Sequence, residues 1–539
     1  MFGNILRGIA AALSFSLMWY FSSFTLNPAF GGFWFFVVLI GAVSFGIPAP
    51  SELHYNNAFN ERGWKRVGLA FLAVVVFLLF TIVSSWAAFH ASAYRELLGP
   101  VTSGKLEEAL PSLDLEQAPL VSESMAERAA EKRLSEVPAL GSQVEIGSLE
   151  KQIINGKLYW VAFLEHRSFS KWFTQKSTPG YVRVSAHNAE DVHLVQEVDG
   201  KKLSLKYLDS SYGFSNAKRH LRVNGFATDG IGDFIPEIDE SGRPYLVAAL
   251  HSPTVGFLGQ DANGAAVLDV QTGEVKRYSL TNLPTWIDRI HPESFIKTQL
   301  EDRLHLVNGW FNPQDEDRLA ISNDLDVVYG ADGKSYYFAG LTSVAREGGL
   351  VGFMMVNTRT KEVRQFQVSG VTEPVAQSAV EGVMPEKKYE ATNALPFLIN
   401  GTPVYAMALR DNVGIARAYG IVSLTNFQKV AVSNTFAATV REFQNKLAID
   451  ATMSNASTQG TLKPFKGKIW RIASEVRGGN TQYTMTLADD ETGHLYVAGP
   501  DLSDDLALTQ SGDLVEGKVV ASSSRVQNLQ SFVNKTITK

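Results

Sequence analysis

Residues 155–165 read NGKLYWVAFLE, and three further stretches repeat that pattern: SGRPYLVAALH (241–251), DGKSYYFAGLT (332–342) and NGTPVYAMALR (400–410). In each stretch Asn, Ser or Asp precedes a glycine, an aromatic residue follows the glycine by three or four positions, and a leucine follows it by eight. Asn-Gly and Asp-Gly favour tight hairpin turns, because these turns need positive φ. Each stretch therefore predicts a turn that leads into a β-strand. The turn glycines are Gly156, Gly242, Gly333 and Gly401.

A second hairpin follows each of these strands, and a short helical pattern precedes each one. The clearest helix is MAERAAEKRLSEV (125–137), with Ser124 as its cap and Glu127 three residues later. A bare antiparallel meander cannot bury its own apolar face, so the helix is expected to cover it. The sequence thus predicts four repeats of one helix and a meander of about four strands, over residues 123–432.

The predicted unit resembles the PepSY domain, a small helix-plus-meander module. The strongest local match is VLDVQTGEV at 267–275, which is similar to the "VDAxTGEV" turn of that family. The segment NTRTKEV at 357–363 lacks the glycine, and the first and fourth stretches depart further. The resemblance implies extracytoplasmic modules that bind or restrain other proteins, including peptidases. It brings no catalytic residues with it.

Three apolar runs precede the repeats, at about 8–25, 32–47 and 67–89. A helix needs about 20 mainly apolar residues to cross a membrane, so we expect three transmembrane helices. The second run is short, and a re-entrant piece is the alternative there. A cleavable signal peptide ending near Ala91-Ser92-Ala93 is the alternative for the whole region.

Basic residues beside these runs predict the orientation. Arg7 precedes the first run, and Arg62, Lys65 and Arg66 stand at the start of the third. Because basic flanks stay in the cytoplasm, the N-terminus is expected inside. Everything after about residue 91 then lies outside the cytoplasm, on a cell (inner or plasma) membrane.

These patterns together predict an α+β fold class: three transmembrane helices, then about four PepSY-like repeats and a small C-terminal β-barrel. Five predicted strands after residue 461, with a helix after the third, favour an OB-like barrel. The predicted domains are an anchor (1–97), a linker (98–122), four repeats (123–210, 211–290, 291–370 and 371–432), a helix and linker (433–460) and the barrel (461–539).

Composition and motifs exclude several kinds of chemistry. The chain has no cysteine, so disulfides and thiolate sites are absent, and its net charge of −6 lacks the basic footprint of a nucleic-acid binder. No Gly-x-Ser-x-Gly, His-Glu-x-x-His or phosphate-binding glycine loop occurs. Acidic clusters such as Glu237 with Asp239 and Asp324 with Asp326 are interpreted as hairpin tips. We therefore expect no catalytic residues, no cofactor and no metal.

One insertion in the first repeat is a candidate contact surface. Residues 170–177 read SKWFTQKS, an apolar pair in a basic segment, which suits a membrane surface or a partner protein. The candidate contact residues are Lys171, Trp172, Phe173 and Lys176.

These expectations favour a non-enzymatic, membrane-anchored binding or scaffold protein. Its repeats would contact another protein of the cell envelope, or further copies of the chain. One alternative is a structural subunit of a larger membrane assembly, since small residues in the first two runs permit close helix packing. A second alternative is an envelope hydrolase with an unrecognised site, which a cleft of polar residues with shifted pKa values would favour.

Overall fold

The chain folds into two compact units, Met1–Phe436 and Ala437–Lys539, in a computed structural model. The structure describes residues 2–46, 61–115, 117–344, 346–457, 462–477, 480–490, 493–499, 502–520 and 525–537. Most of the predicted connector between the second and third apolar runs lies outside the described residues.

The described α-helices differ widely in length. They are α1 (Phe2–Ser22), α2 (Gly31–Gly46), α3 (Glu61–Ser84), α4 (Ala87–Glu96), α5 (Leu106–Ala109), α6 (Glu123–Ser135), α7 (Phe169–Gln175), α8 (Ala217–Val223), α9 (Glu293–His305), α10 (Glu373–Glu381) and α11 (Phe436–Ser457).

Helices α1, α2 and α3 overlap the three apolar runs, and α4 begins at the end of the third run. Among the described residues, no single helix has both the length and the apolar character needed to cross a membrane. Only α3 from Gly68 and α4 together pass that test, and they meet at a bend of 49°. The reasons lie in the sequence, because α2 has 16 residues, which span about 24 Å of a slab about 30 Å thick. In α3 the first turns carry charged residues, so the apolar stretch that remains is too short to cross a membrane by itself.

The first unit contains several short and long strands. They are β1 (Val101–Gly104), β2 (Val144–Ile146), β3 (Glu150–Ile154), β4 (Lys157–His166), β5 (Tyr181–Ser185), β6 (Val192–Val195), β7 (Glu197–Val198), β8 (Lys201–Lys202), β9 (Gly230–Ile238), β10 (Pro244–Val255), β11 (Leu258–Asp269), β12 (Val275–Tyr278), β13 (Leu319–Ile321), β14 (Asp326–Tyr329), β15 (Ser335–Ser343), β16 (Arg346–Asn357), β17 (Val363–Val371), β18 (Glu390–Ala391), β19 (Leu395–Ile399), β20 (Thr402–Arg410), β21 (Ala416–Ser423) and β22 (Val430–Ser433).

These strands form four main sheets of unequal size. The first sheet has the order β2-β4-β5-β6 with β3 also on β4, and the second has the order β12-β11-β10-β9. The third sheet runs β1-β17-β16-β15-β13 with β14 also on β15, and the fourth runs β18-β20-β21-β22 with β19 also on β20. Pairing is antiparallel within the sheets except that β1 joins β17 in parallel. Strands β7 and β8 form a separate hairpin.

The fold is therefore a mixed α/β arrangement, and the predicted class of three transmembrane helices followed by equivalent PepSY-like repeats is wrong. The sheets have five, four, six and five strands. The third recruits β1 from the predicted linker, and α8 has seven residues where α9 has 13. The four glycine stretches resemble each other only locally, so their similarity does not extend to the pairing of the flanking segments.

The side chains of β4 point alternately to the two faces of the first sheet and show what packs on each face. Leu158 and Trp160 pack with α6 on one face of the first sheet. Tyr159, Val161 and Phe163 pack against the second sheet and α8 on the other. Since successive side chains of a strand point to opposite faces, a strand covered on both sides needs an uninterrupted apolar run.

The third and fourth sheets are layered in a similar way. Ile296 and Leu300 of α9 pack on one face of the third sheet, together with Tyr337 and Met354. On the other face the rings of Phe338 and Phe353 lie 4.6 Å apart. The ring of Tyr405 in β20 lies 6.3 Å from that of Phe353, which joins the third sheet to the fourth.

The N-terminal helices attach to the second sheet through what we call the docking contact: Ser23, Thr25, Ser85, Arg222 and Phe257. The buried Arg222 side chain donates to the Ser23 carbonyl oxygen at 2.9 Å and to Thr25 Oγ1 at 3.0 Å. The backbone N–H of Phe257, in the β10–β11 turn, donates to Ser85 Oγ at 2.9 Å, where α3 meets α4. The docking contact therefore holds the α1–α2 connection and the α3–α4 connection on the second sheet.

The second unit contains a closed barrel of five strands. They are β23 (Leu462–Arg477), β24 (Asn480–Leu487), β25 (Leu495–Ala498), β26 (Leu514–Val520) and β27 (Val526–Asn534). Their order around the barrel is β23-β24-β25-β27-β26, and β25 pairs with β27 in parallel. A short 3-10 helix, Asp504–Leu508, separates β25 from β26.

Candidate functional site

A cavity of about 570 Å³ lies in the first unit, where α6, α9 and edges of the first, third and fourth sheets meet. We call it the charged cavity, because its lining contains five carboxylates and three basic side chains. These are Glu123, Glu127, Glu150, Glu293, Asp326, Lys151, Arg289 and Arg410. Hydroxyl and amide groups of Ser122, Ser148 and Asn393 complete the polar wall.

A buried ion pair forms one wall of the charged cavity. The Arg289 guanidinium, in the segment before α9, donates from Nη2 to a carboxylate oxygen of Glu150 at the start of β3. Burial disfavours the charge of Arg289, but Glu150, Tyr337, Tyr329 and Glu237 together outweigh it and raise the pKa of Arg289 above its ordinary value. Glu150 is thus compensated by a group of the protein itself.

Lys151 and Asp326 approach the charged cavity from the first and third sheets. Burial lowers the pKa of Lys151, although Asp326 opposes this shift. Burial also raises the pKa of Asp326, against the effects of Lys151 and of the Asn393 amide that donates to it. Lys151 Nζ donates to the Val327 carbonyl oxygen at 3.3 Å and lies 5.0 Å from the Trp160 ring centroid. Both shifts have one cause, because a poorly solvated site disfavours charge.

Four carboxylates of the charged cavity have no ion-pair partner in the described part of the chain: Glu123, Glu127, Glu293 and Asp326, of which Asp326 accepts from the Asn393 amide. Glu123 and Glu293 are the first residues of α6 and α9, where the helix dipole favours a negative charge. Burial nevertheless raises the pKa of both, and Glu150 adds to the shift in each case. The helix ends therefore compensate these charges only in part.

Arg410 lies on the opposite side of the charged cavity, and its guanidinium already has hydrogen-bond partners in the protein. Its guanidinium donates to Ser124 Oγ at 2.7 Å and to Glu390 at 3.2 Å. With Arg289 on Glu150 and Arg410 on Glu390, negative charge remains in excess at the cavity wall.

Glu237 lies near the ion pair and corrects one interpretation of the sequence. It is a buried residue of β9, 1% exposed, and not part of a hairpin tip. Burial and the neighbouring Asp288 raise its pKa well above the ordinary value, against the effect of Arg289. The raised pKa disfavours a negative charge on Glu237 beside the ion pair.

The predicted contact residues lie elsewhere, on and beside α7. Trp172 and Phe173 are helical, and Lys176 follows the helix in a left-handed conformation. Lys176 Nζ lies 4.0 Å from the Trp172 ring centroid and 4.3 Å from that of Phe173. Lys171 donates its backbone N–H to Ser168, which caps the helix. Their role in binding a partner stays a prediction.

The predicted turn glycines lie at four separate hairpins and do not form a site. All four have positive φ, between 72° and 90°. Gly156 and Gly401 follow Asn155 and Asn400, which also have positive φ, as primed hairpin turns require.

The sequence reading missed the charged cavity almost entirely. Its residues come from segments as distant as Glu123 and Arg410, and no short motif joins them. One signal was available: glutamate opens α6, α9 and α10, as Glu123, Glu293 and Glu373. Asp326 was noticed only as a member of an acidic cluster. Within the described residues, no group of three or more His, Asp or Glu side chains is placed to hold a metal ion.

Comparison with known proteins gives few matches. No protein-family model matches the chain, and no curated protein matches it. Among solved structures, a GH32 beta-fructofuranosidase from Bombyx mori is 9% identical, with 76% of this chain and 70% of that chain covered and a TM-score of 0.17. A levansucrase mutant from B. megaterium is 8% identical, with 78% and 97% covered and a TM-score of 0.18.

These matches correct two expectations without supplying a replacement. Both similar structures are of enzymes by name, and neither is a PepSY module or a scaffold protein. The expectations of a non-enzyme and of a PepSY-like scaffold are therefore withdrawn. TM-scores of 0.17 and 0.18 are too low for either structure to assign a fold or an activity to this chain.

Proposed function

We propose that this chain is a membrane-attached binding protein that holds a small organic cation in the charged cavity, outside the cytoplasm. The observation that carries the proposal is the excess of carboxylate there: Glu123, Glu127 and Glu293 have no ion-pair partner among the described residues. All three side chains are exposed, so their carboxylates are accessible from solvent at the wall of the charged cavity. A cationic ligand would pair with them.

The lining also limits the ligand to a polar molecule. Ser122, Ser148 and Asn393 offer hydrogen-bonding groups between the charged residues. The Trp160 ring already faces Lys151, and its Nε1–H donates to the Val121 carbonyl oxygen at 2.8 Å. An amine that also carries hydroxyl groups fits this chemistry better than an apolar cation.

The N-terminal helices support the proposed membrane attachment. Large apolar side chains of α1 and α3 are exposed in the isolated chain, among them Leu13, Phe71 and Leu79. Contiguous exposed apolar surface on this scale is typical of contact with a membrane or a partner. The basic residues Arg62, Lys65 and Arg66 at the start of α3 favour a cytoplasmic start and an outer location for the sheets.

Binding is tested by titrating the full-length protein, in mild detergent, with glucosamine and with the neutral N-acetylglucosamine, and measuring the heat of binding. We expect saturable binding of the amine only, weakened about tenfold or more in the Glu293→Gln variant. The matched control is Glu316→Gln, which changes an exposed glutamate outside the charged cavity. Equal heats for the amine and its neutral counterpart would count against a cation site.

An acid–base enzyme is the second candidate, favoured by the raised pKa values of Glu293 and Asp326 in one cavity. A carboxyl group kept protonated by burial can serve as a general acid. Hydrolysis of a panel of nitrophenyl glycosides and esters, abolished in Glu293→Gln and Asp326→Asn, would establish it. The predicted contact with an envelope protein or with further copies of the chain, and the alternative of a membrane-assembly subunit, stay predictions.

A further inference from the structure

Five aromatic side chains form an exposed cluster in the first unit, which we call the aromatic surface: Phe169, Trp172, Phe173, Tyr212 and Phe214. Four are large rings with high exposure, at 53% for Phe169, 61% for Phe173, 41% for Tyr212 and 58% for Phe214. The ring centroid of Tyr212 lies 5.0 Å from that of Phe169 and 5.4 Å from that of Trp172. Two segments far apart in sequence therefore build one surface.

Local structure holds these rings in place. Ser168 caps α7, and the left-handed Lys176 ends it after two turns. On the other segment, Gly213 has a φ of 62° and allows the chain to present Tyr212 and Phe214 on either side of it. The aromatic surface is thus part of the fold and not a frayed loop.

The aromatic surface continues onto the end of α1. The ring of Tyr20 lies 5.7 Å from that of Phe214, and its neighbour Phe21 is 71% exposed. Three further exposed residues, Ile9, Leu13 and Leu17, precede Phe21 at intervals of four. Because residues four apart share one face of a helix, an apolar stripe along α1 leads to the aromatic surface.

The charge around the aromatic surface differs from that of the whole chain. Residues 166–177 and 211–223 contain no Asp or Glu, but they contain Arg167, Lys171, Lys176, Lys218 and Arg219 outside the buried Arg222 of the docking contact. The chain as a whole has a net charge of −6. This local basic excess is complementary to anionic lipid headgroups.

We propose that the aromatic surface lies in the headgroup region of an anionic lipid bilayer. Tyr and Trp rings, with one apolar and one polar end, favour that region, and neighbouring lysines reach the lipid phosphates. The inference rests on the proposed membrane attachment and is independent of the ligand of the charged cavity. Its partner is the lipid surface, reached where α1 leaves the sheets.

The absence of cysteine allows a direct test with a single labelled position. Phe173→Cys, and separately Thr174→Cys, which keeps every aromatic ring, are labelled with an environment-sensitive nitrobenzoxadiazole dye. The full-length protein is reconstituted in phosphatidylcholine vesicles with and without phosphatidylglycerol, together with spin-labelled quencher lipids. The matched control is Lys132→Cys on α6, exposed on the face of the first sheet that does not pack on the second.

We expect several-fold stronger quenching at positions 173 and 174 than at 132, and more quenching with phosphatidylglycerol at low salt. Flotation of the protein with the vesicles, measured on the position-132 label, reports membrane attachment separately. If the protein floats but quenching is equal at all three positions, the proposed contact between the aromatic surface and lipid is wrong, although the membrane attachment stands. The aromatic surface would then be expected to contact a protein partner. Failure to float overturns the membrane attachment as well.

Discussion

The charged cavity and the docking contact both contain charged side chains, but they differ in how those charges are compensated. At the docking contact, the Arg222 guanidinium donates to four protein oxygens: the carbonyls of Ser23, Phe226 and Asp229, and Thr25 Oγ1. In the charged cavity, Glu123 and Glu293 have no ion-pair partner among the described residues. The buried Arg222 charge, which the fold satisfies, is structural, whereas the exposed carboxylates of Glu123 and Glu293, which the fold leaves unpaired, are available to a ligand.

The largest expected effect is on stability, at the buried ion pair of Arg289 with Glu150 in the wall of the charged cavity. Arg289→Met leaves Glu150 without its cation beside Asp288 and Glu237. Breaking a buried pair from one side typically costs about 3–5 kcal/mol, and we expect a loss of that size in urea unfolding. The control, Arg133→Met, removes an exposed pair with Glu136 and should cost about 1 kcal/mol or less. Equal losses for the two variants would contradict the assignment of Arg289.

The docking contact is expected to be sensitive to loss of apolar volume. The ring of Phe257 lies 6.4 Å from that of Phe77 and 6.2 Å from that of Phe80. Because Phe257 is only partly buried, Phe257→Ala should cost about 2 kcal/mol, below the ~3–5 kcal/mol of a fully buried ring. Leu258→Ala, at a 54% exposed neighbour, is the control and should leave the unfolding midpoint nearly unchanged.

Glu293→Gln should separate stability from binding. Burial raises the pKa of Glu293 in the folded chain, so the folded state retains a proton that the unfolded state has lost. The contribution of Glu293 to the free energy of unfolding is therefore most favourable at low pH, and it decreases as the pH rises above about 4.5. The variant should be at least as stable as the parent at neutral pH and equal to it near pH 4, as measured by unfolding midpoints.

The same variant should bind a cation less well. A hydrogen bond to a charged group contributes about 1.5–3 kcal/mol, so the Kd for glucosamine should rise about tenfold or more. A variant that loses stability at neutral pH, and keeps its affinity, would mean that Glu293 serves the fold and not a ligand.

The smallest expected effect is a pH dependence at the docking side of the second sheet. His251 in β10 is buried between the rings of Phe30 and Phe295, at 5.7 and 5.0 Å. Burial, with Arg222 and Lys218, lowers its pKa to about 4, against the effect of Asp233. The folded state therefore keeps His251 neutral, and this stability is lost as pH falls from about 6.5 toward about 4. His251→Phe should reduce that loss in an acid titration of the unfolding midpoint, while His193→Phe, at a half-exposed histidine, should not.

How much the sequence could reveal depends on how local each feature is. The left-handed conformations of Asn155 and Gly156 follow from residue types that tolerate positive φ, so a hairpin turn can be inferred there from neighbouring residues alone. The apolar runs likewise predict helices α1, α2 and α3. The bend between α3 and α4 could not be read in this way, because Ser85 is held there by Phe257, 172 residues away.

The candidate site depends on packing between distant segments. Glu150, Arg289 and Asp326 belong to the first sheet, the segment before α9 and the third sheet, and no spacing in the sequence connects them. The repeated hairpins suggested four equivalent units. The third sheet departs from such a unit because β1, from the chain after α4, pairs in parallel with β17. Pairing partners and charge compensation are therefore properties of the folded chain that local patterns do not contain.

The most direct test of the cation site is proton release on binding. Glucosamine is titrated into the full-length protein near pH 5 by calorimetry, in two buffers of different ionisation enthalpy, and the difference in heat gives the protons exchanged. A bound cation lowers the raised pKa values of Glu123, Glu293 and Asp326, so we predict saturable binding with proton release, lost in the Glu293→Gln/Asp326→Asn double variant. Binding with no proton exchange, or binding that is unchanged in the double variant, would contradict the assignment of the charged cavity as a cation site.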